Sequence, residues 1–145
     1  SRLSDNDKAR LASVAGDDTE LLATKLQYGL AALSLVSHSA LITATANDQD
    51  GQLIFAQQVW GIGQAGDVLL AISTSGNSQN VLLASKVARA KNILVVGLTG
   101  ASGGRLAEIC DIAIKVPSDQ VAETQEMHLP IYHHICASVE AHFFA

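Results

Sequence analysis

The densest chemistry in the chain lies in six consecutive residues, Ser73-Thr74-Ser75-Gly76-Asn77-Ser78. Their four hydroxyls offer donors and acceptors to one small anion, and the glycine lets the backbone come close to it. The run stands between an apolar stretch, 67–72, and an amphipathic one, 79–91. It therefore reads as a strand-to-helix turn, where unpaired N–H groups and the positive end of the helix dipole face a ligand. A phosphate suits that chemistry. The plainer alternative is a turn with Asn77 or Ser78 as helix N-cap. One cap needs only one such residue, so the phosphate reading is preferred. Any of the five histidines, His38, His128, His133, His134 and His142, has the ordinary pKa of about 6.5 that suits proton transfer near neutrality, and each reads equally well as a satisfied helix-surface residue. His134 would project about 100° around the helix from His133.

The elements that must hold these groups alternate regularly. Residues 30–35 read as a short buried strand, and 40–46 and 53–62 as helices. Strands follow at 68–72, 93–98 and 112–116. Helices lie between them at about 78–90 and 103–110, and a long last helix covers 121–143. Strands about 20 residues apart with intervening helices predict βαβ units, right-handed crossovers and a parallel sheet. Ligands in such α/β folds sit at the carboxyl ends of the strands. Residues 72–75 form one such end and Leu98-Thr99-Gly100-Ala101-Ser102-Gly103-Gly104 another. The first 27 residues differ: 3–14 and 18–27 have helical spacing, split by Gly16-Asp17-Asp18. They fit a solvated helical hairpin or an oligomer contact equally well.

Composition narrows the function classes. A chain of 145 residues has the size of one domain with a real core. Few aromatics and a core of Ala, Leu, Ile and Val suit helices packed on a parallel sheet. The net charge of −5 argues against broad nucleic-acid binding, which needs basic patches. No apolar run reaches membrane-spanning length and no signal peptide opens the chain, so a cytoplasmic protein is expected. Cys110 and Cys136 lack CxxC spacing and read as free thiols in a reducing compartment. No G-x-G-x-x-G opens a helix, so no nucleotide cofactor is expected.

Three ordered motifs, taken together, resemble the sugar isomerase (SIS) family. They are residues 67–78, Gly97-Leu98-Thr99-Gly100 with Gly103-Gly104, and Thr124-Gln125-Glu126-Met127-His128; Thr45-Ala46-Asn47-Asp48 adds a fourth. The resemblance runs from about residue 29 to residue 143 and is nearest to the phosphoheptose isomerase subgroup. Such enzymes interconvert sedoheptulose 7-phosphate and D-glycero-D-manno-heptose 7-phosphate, a precursor for lipopolysaccharide or surface glycans. The resemblance implies a three-layer αβα fold with a parallel, Rossmann-like sheet. It implies that Ser73, Thr74, Ser75 and Ser78 bind the sugar phosphate and that Asn47, Asp48 and Gln125 contact substrate. It implies a catalytic role for His133, zinc ligation by Gln125 and His133, and a homotetramer with active sites near subunit interfaces. Gln125 and His133 are about 12 Å apart in helix rise, and zinc usually takes four ligands, of which the chain supplies two obvious ones.

The family also carries a Gly-Asn-Gly-Gly-Ser turn after its first strand, then a helix with a histidine and an acid/base glutamate. Neither is present in the 145 residues. They belong before Ser1 or near Gln27-Tyr28, unless the protein is divergent; because an intact sheet would want that strand, missing residues are the expectation. The residues here would then hold half an active site in a single SIS domain, 1–145. Two non-enzymatic alternatives stand beside the isomerase. One is a phosphosugar sensor that binds without turnover. The other is an interaction protein, like the SIS relatives that bind the bacterial replication initiator. That group lacks the histidine matching His133 and often replaces the second serine of the turn, so Ser75 and His133 favour the enzyme.

Overall fold

A computed structural model describes residues 2–144. They fall into two compact units, residues 34–132 and the pair 2–33 with 133–144.

The larger unit is built on a parallel sheet. Its elements are helix α3 (Ser39–Asp48), helix α4 (Ala56–Ile62), strand β1 (Val68–Ile72), helix α5 (Gln79–Ala90), strand β2 (Leu94–Thr99), helix α6 (Gly104–Ile109), strand β3 (Ile112–Lys115) and helix α7 (Val121–Phe144) as far as residue 132. The strand order is β1-β2-β3, with Val68 opposite Leu94, Ile72 opposite Leu98, and Thr99 opposite Lys115. Parallel pairing and sequential order put all three carboxyl ends on one rim. The turns 73–78, 100–103 and 116–120 therefore lie side by side there.

Burial follows the strand period of two and the helix period of 3.6. In β1, Ala71 is buried while Val68, Leu70 and Ile72 are exposed. In α5, Leu82, Ala84, Ser85 and Ala88 form the buried stripe. The core joins Val59 of α4, Ala71 of β1, Leu82, Ala84 and Ala88 of α5, Ile93 and Val95 around β2, and Leu106 of α6. At the edge of this layer Lys91 donates from Nζ to the Trp60 carbonyl at 2.5 Å and lies 5.4 Å from that ring's centroid.

The expected strand at 30–35 does not form. A strand needs a hydrogen-bonded neighbour, and the only described neighbour of β1 is β2. Leu35 instead packs on the helical side of the core, and its carbonyl accepts from Gln58 Nε2 at 2.9 Å. The helix expected over 53–62 is also divided: a 3-10 turn (Gly51–Leu53), capped by the Asp50 carboxylate accepting from Gln52 N, precedes α4.

In the smaller unit, α1 (Asp5–Ala15) and α2 (Thr19–Lys25) flank a 3-10 turn at Gly16–Asp18. Ser4 caps α1, its hydroxyl accepting from Asp7 N at 3.2 Å. Tyr28 donates its hydroxyl hydrogen to the Asp7 carboxylate and accepts from Ser4 N at 3.1 Å. The Tyr28 ring stacks on Phe144 with centroids 6.2 Å apart. Residues 133–144 of α7 belong to this unit.

Candidate functional site: a hydroxyl-lined turn

The turn after β1 gathers the residues expected to hold phosphate. Ser73 is 5% exposed, Thr74 is half-buried, and Ser75 and Ser78 are exposed. The Ser73 and Ser78 hydroxyls share a hydrogen bond of 2.9 Å. Ser78 stands at the N-cap of α5 with extended backbone, yet its side chain does not cap the helix. The turn closes on itself otherwise: Gly76 N donates to Ser73 O at 3.0 Å, and Asn77 N to Ser75 Oγ at 3.2 Å. The first α5 bond from the cap is Leu82 N to Ser78 O. The N–H groups of Gln79 and Asn80 precede it, so intrahelical carbonyls leave them unused. The side-chain cap that one reading of the sequence gives to Ser78 is not made. A capping serine would turn its hydroxyl onto the helix end, whereas Ser78 turns it towards Ser73 and leaves the positive helix start open to an anion.

The turn after β2 presses on the first. Gly76 has φ of +65°, and Gly104 φ of +52°. A methyl on Gly104 would meet Asn77 Nδ2 at 2.8 Å. A methyl on Gly100 would meet Ser118 O at 2.7 Å, Thr74 O at 2.8 Å and Asp119 Oδ1 at 2.9 Å. Hydrogen bonds fasten the same apposition: Leu106 N to Gly76 O at 2.9 Å, Gly100 N to Thr74 O at 2.9 Å, and Arg105 N to Asn77 Oδ1 at 3.2 Å. From the other side the turn after β3 holds Ser102. Asp119 Oδ1 accepts from Ser102 N and from Ser102 Oγ, both at 3.0 Å. These donors, the Ser102 backbone first and its hydroxyl next, with Ala101 N adding to them, keep the Asp119 carboxyl below the ordinary aspartate range.

Helix α7 begins beside this rim. Thr124 is fully buried and donates its hydroxyl to Ser118 O at 2.9 Å. His128, one turn on, is buried with Nε2 3.2 Å from Thr99 O. The reading of His128 as a helix-surface residue is thereby corrected: it anchors α7 to the end of β2. Sequence alone gave no sign of this, because its partner is a backbone carbonyl. Gln125 follows Thr124 by one position and is exposed. Asn47 and Asp48 are exposed at the carboxyl end of α3 and make no hydrogen bond to the 73–78 turn among the described residues. His133 is exposed and belongs to the smaller unit.

A SIS domain model matches residues 22–100, which include the whole 73–78 turn. The chain belongs to the SIS domain family. The phosphoheptose isomerase of Rhodospirillum rubrum is 48% identical over 111 residues, covering 77% of this SIS chain and 59% of that protein. The phosphoheptose isomerase of Thiobacillus denitrificans is 49% identical over 116 residues, covering 78% and 59%. Among solved structures, the phosphoheptose isomerase from Neisseria gonorrhoeae matches with TM-score 0.74 and 35% identity over 92% of this chain and 70% of that one. The one from Francisella tularensis matches with TM-score 0.71 and 37% identity, covering 82% and 68%. The α/β SIS fold with its parallel sheet is thus present. The chain spans about three fifths of the length of the curated relatives it matches, 59% for the first.

Among the described residues, no three His, Cys, Asp or Glu side chains gather so as to hold a metal ion. Gln125 offers only a neutral carboxamide oxygen, and tetrahedral zinc needs further donors. The residues present do not by themselves fit a zinc centre. No described helix is long and apolar enough to cross a membrane.

Proposed function

We propose that this SIS protein is a cytoplasmic phosphosugar aldose–ketose isomerase that interconverts sedoheptulose 7-phosphate and D-glycero-D-manno-heptose 7-phosphate. The observation that carries the reading is the open start of α5 lined by Ser73 and Ser78, with Ser78 turned away from capping. An open helix start with a shared hydroxyl pair suits a phosphate monoester. Identities of 44–49% to several proteins named phosphoheptose isomerase support the substrate class.

The phosphate is held by Ser73, Thr74, Ser75, Ser78 and the N–H groups at the start of α5. Asn47, Asp48 and Gln125 contact the sugar. Isomerisation moves hydrogen between adjacent carbons. A proton leaves C1 of the ketose, and its electron pair forms the C1=C2 double bond while O2 takes a proton. The enediol then loses the O1 proton and receives one at C2, leaving an aldehyde at C1. His133 serves as an acid/base group, since an imidazole both accepts and donates near neutral pH. The subunits assemble as a homotetramer.

The test is turnover by the complete gene product, with sedoheptulose 7-phosphate supplied and the aldose followed by NMR. Formation of the aldose, abolished by Ser73→Ala with Ser78→Ala, supports the reading. Tight binding of the sugar phosphate without turnover would establish a sensor instead.

A further inference from the structure

The three turns on the carboxyl rim form a chain of contacts that ends at Asp119. Gly76 of the first turn touches Gly103 of the second, and Thr74 O accepts from Gly100 N. The second turn is held on its far side through Ser102, which gives both its N–H and its hydroxyl to one oxygen, Asp119 Oδ1. Ala101 N adds a bond to Ser118 O at 3.0 Å. Asp119 is exposed, so solvent could satisfy its carboxylate without any of these bonds. Its use to hold a glycine-rich loop is therefore a constraint on the loop. Within the loop 100–103, Gly100 and Gly103 are buried against the phosphate turn, with Gly103 at φ +78° and Gly100 N donating to Thr74 O at 2.9 Å. Ala101 and Ser102 are exposed and are held from the side of β3 by Ser118 O and Asp119 Oδ1.

The geometry points to Asp119 as a positioning residue for sugar-phosphate binding: it pins Ser102, and the pinned loop holds Gly76 and Thr74 in the shape that presents the Ser73–Ser78 hydroxyls. This rests on the phosphate reading of that turn. Asp119 lies on the turn after β3, and its side-chain hydrogen bonds run to Ser102 of the β2–α6 loop. On this reading the carboxylate acts through Ser102, and its charge would if anything repel a phosphate.

Charge and clamp predict opposite outcomes. Calorimetric titration of the complete gene product with sedoheptulose 7-phosphate should show Asp119→Ala binding about tenfold more weakly, the scale of a lost charge-assisted hydrogen bond. Asp119→Asn keeps an acceptor oxygen for both Ser102 donors and should restore affinity to the unaltered level or above. Ser102→Ala keeps the N–H bond and should fall between. Melting temperatures of all three should stay within a few degrees of the unaltered protein. Unchanged or tighter binding by Asp119→Ala, a failure of Asp119→Asn to rescue, or a loss that tracks melting would each overturn the clamp. If Ser73→Ala with Ser78→Ala also binds like the unaltered protein, the phosphate reading fails. If that pair loses binding and Asp119→Ala does not, only the clamp fails.

Discussion

Gly76 and Gly103 meet backbone to backbone: a methyl on Gly76 would lie 2.6 Å from the Gly103 carbonyl carbon. Gly76 also has φ of +65°. Position 76 is thus closed to side chains on two independent grounds. Gly76→Ala should destabilise the fold by at least about 1–2 kcal/mol from the left-handed backbone alone, and the collision adds to that. Urea denaturation measures the first effect. Loss of sugar-phosphate binding in the fraction still folded would show that the two turns must touch for the site to form.

Ser73→Ala removes a buried hydroxyl and leaves Ser78 Oγ without its 2.9 Å partner. A stability loss of about 1 kcal/mol is expected, with a larger relative loss of sugar-phosphate affinity. A crystal soaked with sugar phosphate or sulfate should place the anion within hydrogen-bond reach of Ser73, Thr74, Ser75 or Ser78 and the α5 N–H groups. An anion bound elsewhere, with this turn empty at saturation, would refute the assignment.

His133→Gln in the complete gene product should lower turnover by about a hundredfold or more while phosphate binding persists. His134→Gln should cost much less, since adjacent helical residues point about 100° apart. Equal losses for the two variants, or none for His133→Gln, would return the choice to a binding protein.

Acid should expose the Asp119 contacts. A carboxyl held below its ordinary value of 3.8 adds stability that is complete above that value and is lost as pH falls through the folded one. Asp7, lowered by Ser4 and Tyr28, acts in the same window. The difference in urea midpoint between the unaltered protein and Asp119→Asn isolates the former. It should be flat from about pH 7 to about pH 5 and shrink below about pH 4. A difference that grows on acidification would contradict the lowered carboxyl.

Assembly is the fifth expectation. Val14, Leu21 and Phe143 are exposed at 82%, 58% and 63%; we propose the helical segments 5–27 and 121–143 that carry them as subunit contacts, since an apolar helical face needs a partner. Light scattering of the complete gene product should report a tetramer; a monomer at micromolar concentration would reject it.

The parts of the fold governed by local pattern were readable from sequence. Strand β1 has the bounds its apolar run indicates, and α5 starts where the serine-rich turn ends. Residues 30–35 have the composition of a strand but no described partner, and pairing is a tertiary property that composition cannot supply. The hydroxyls of the site were legible because four lie within six positions. The glycines that press on them, and Asp119 behind those, were not, because their roles exist only once three distant turns share a rim. His128 was missed for the same reason: burial against the Thr99 carbonyl leaves no trace in helical spacing.

The contact between Lys91 and Trp60 has an optical consequence. The chain holds one tryptophan, so all indole fluorescence comes from the seam where α4 meets the end of α5. An ammonium group 5.4 Å from the ring centroid perturbs that emission only while the seam is closed. Because Trp60 is 62% exposed even with the seam closed, emission intensity, rather than solvent access, reports whether Lys91 lies beside the ring.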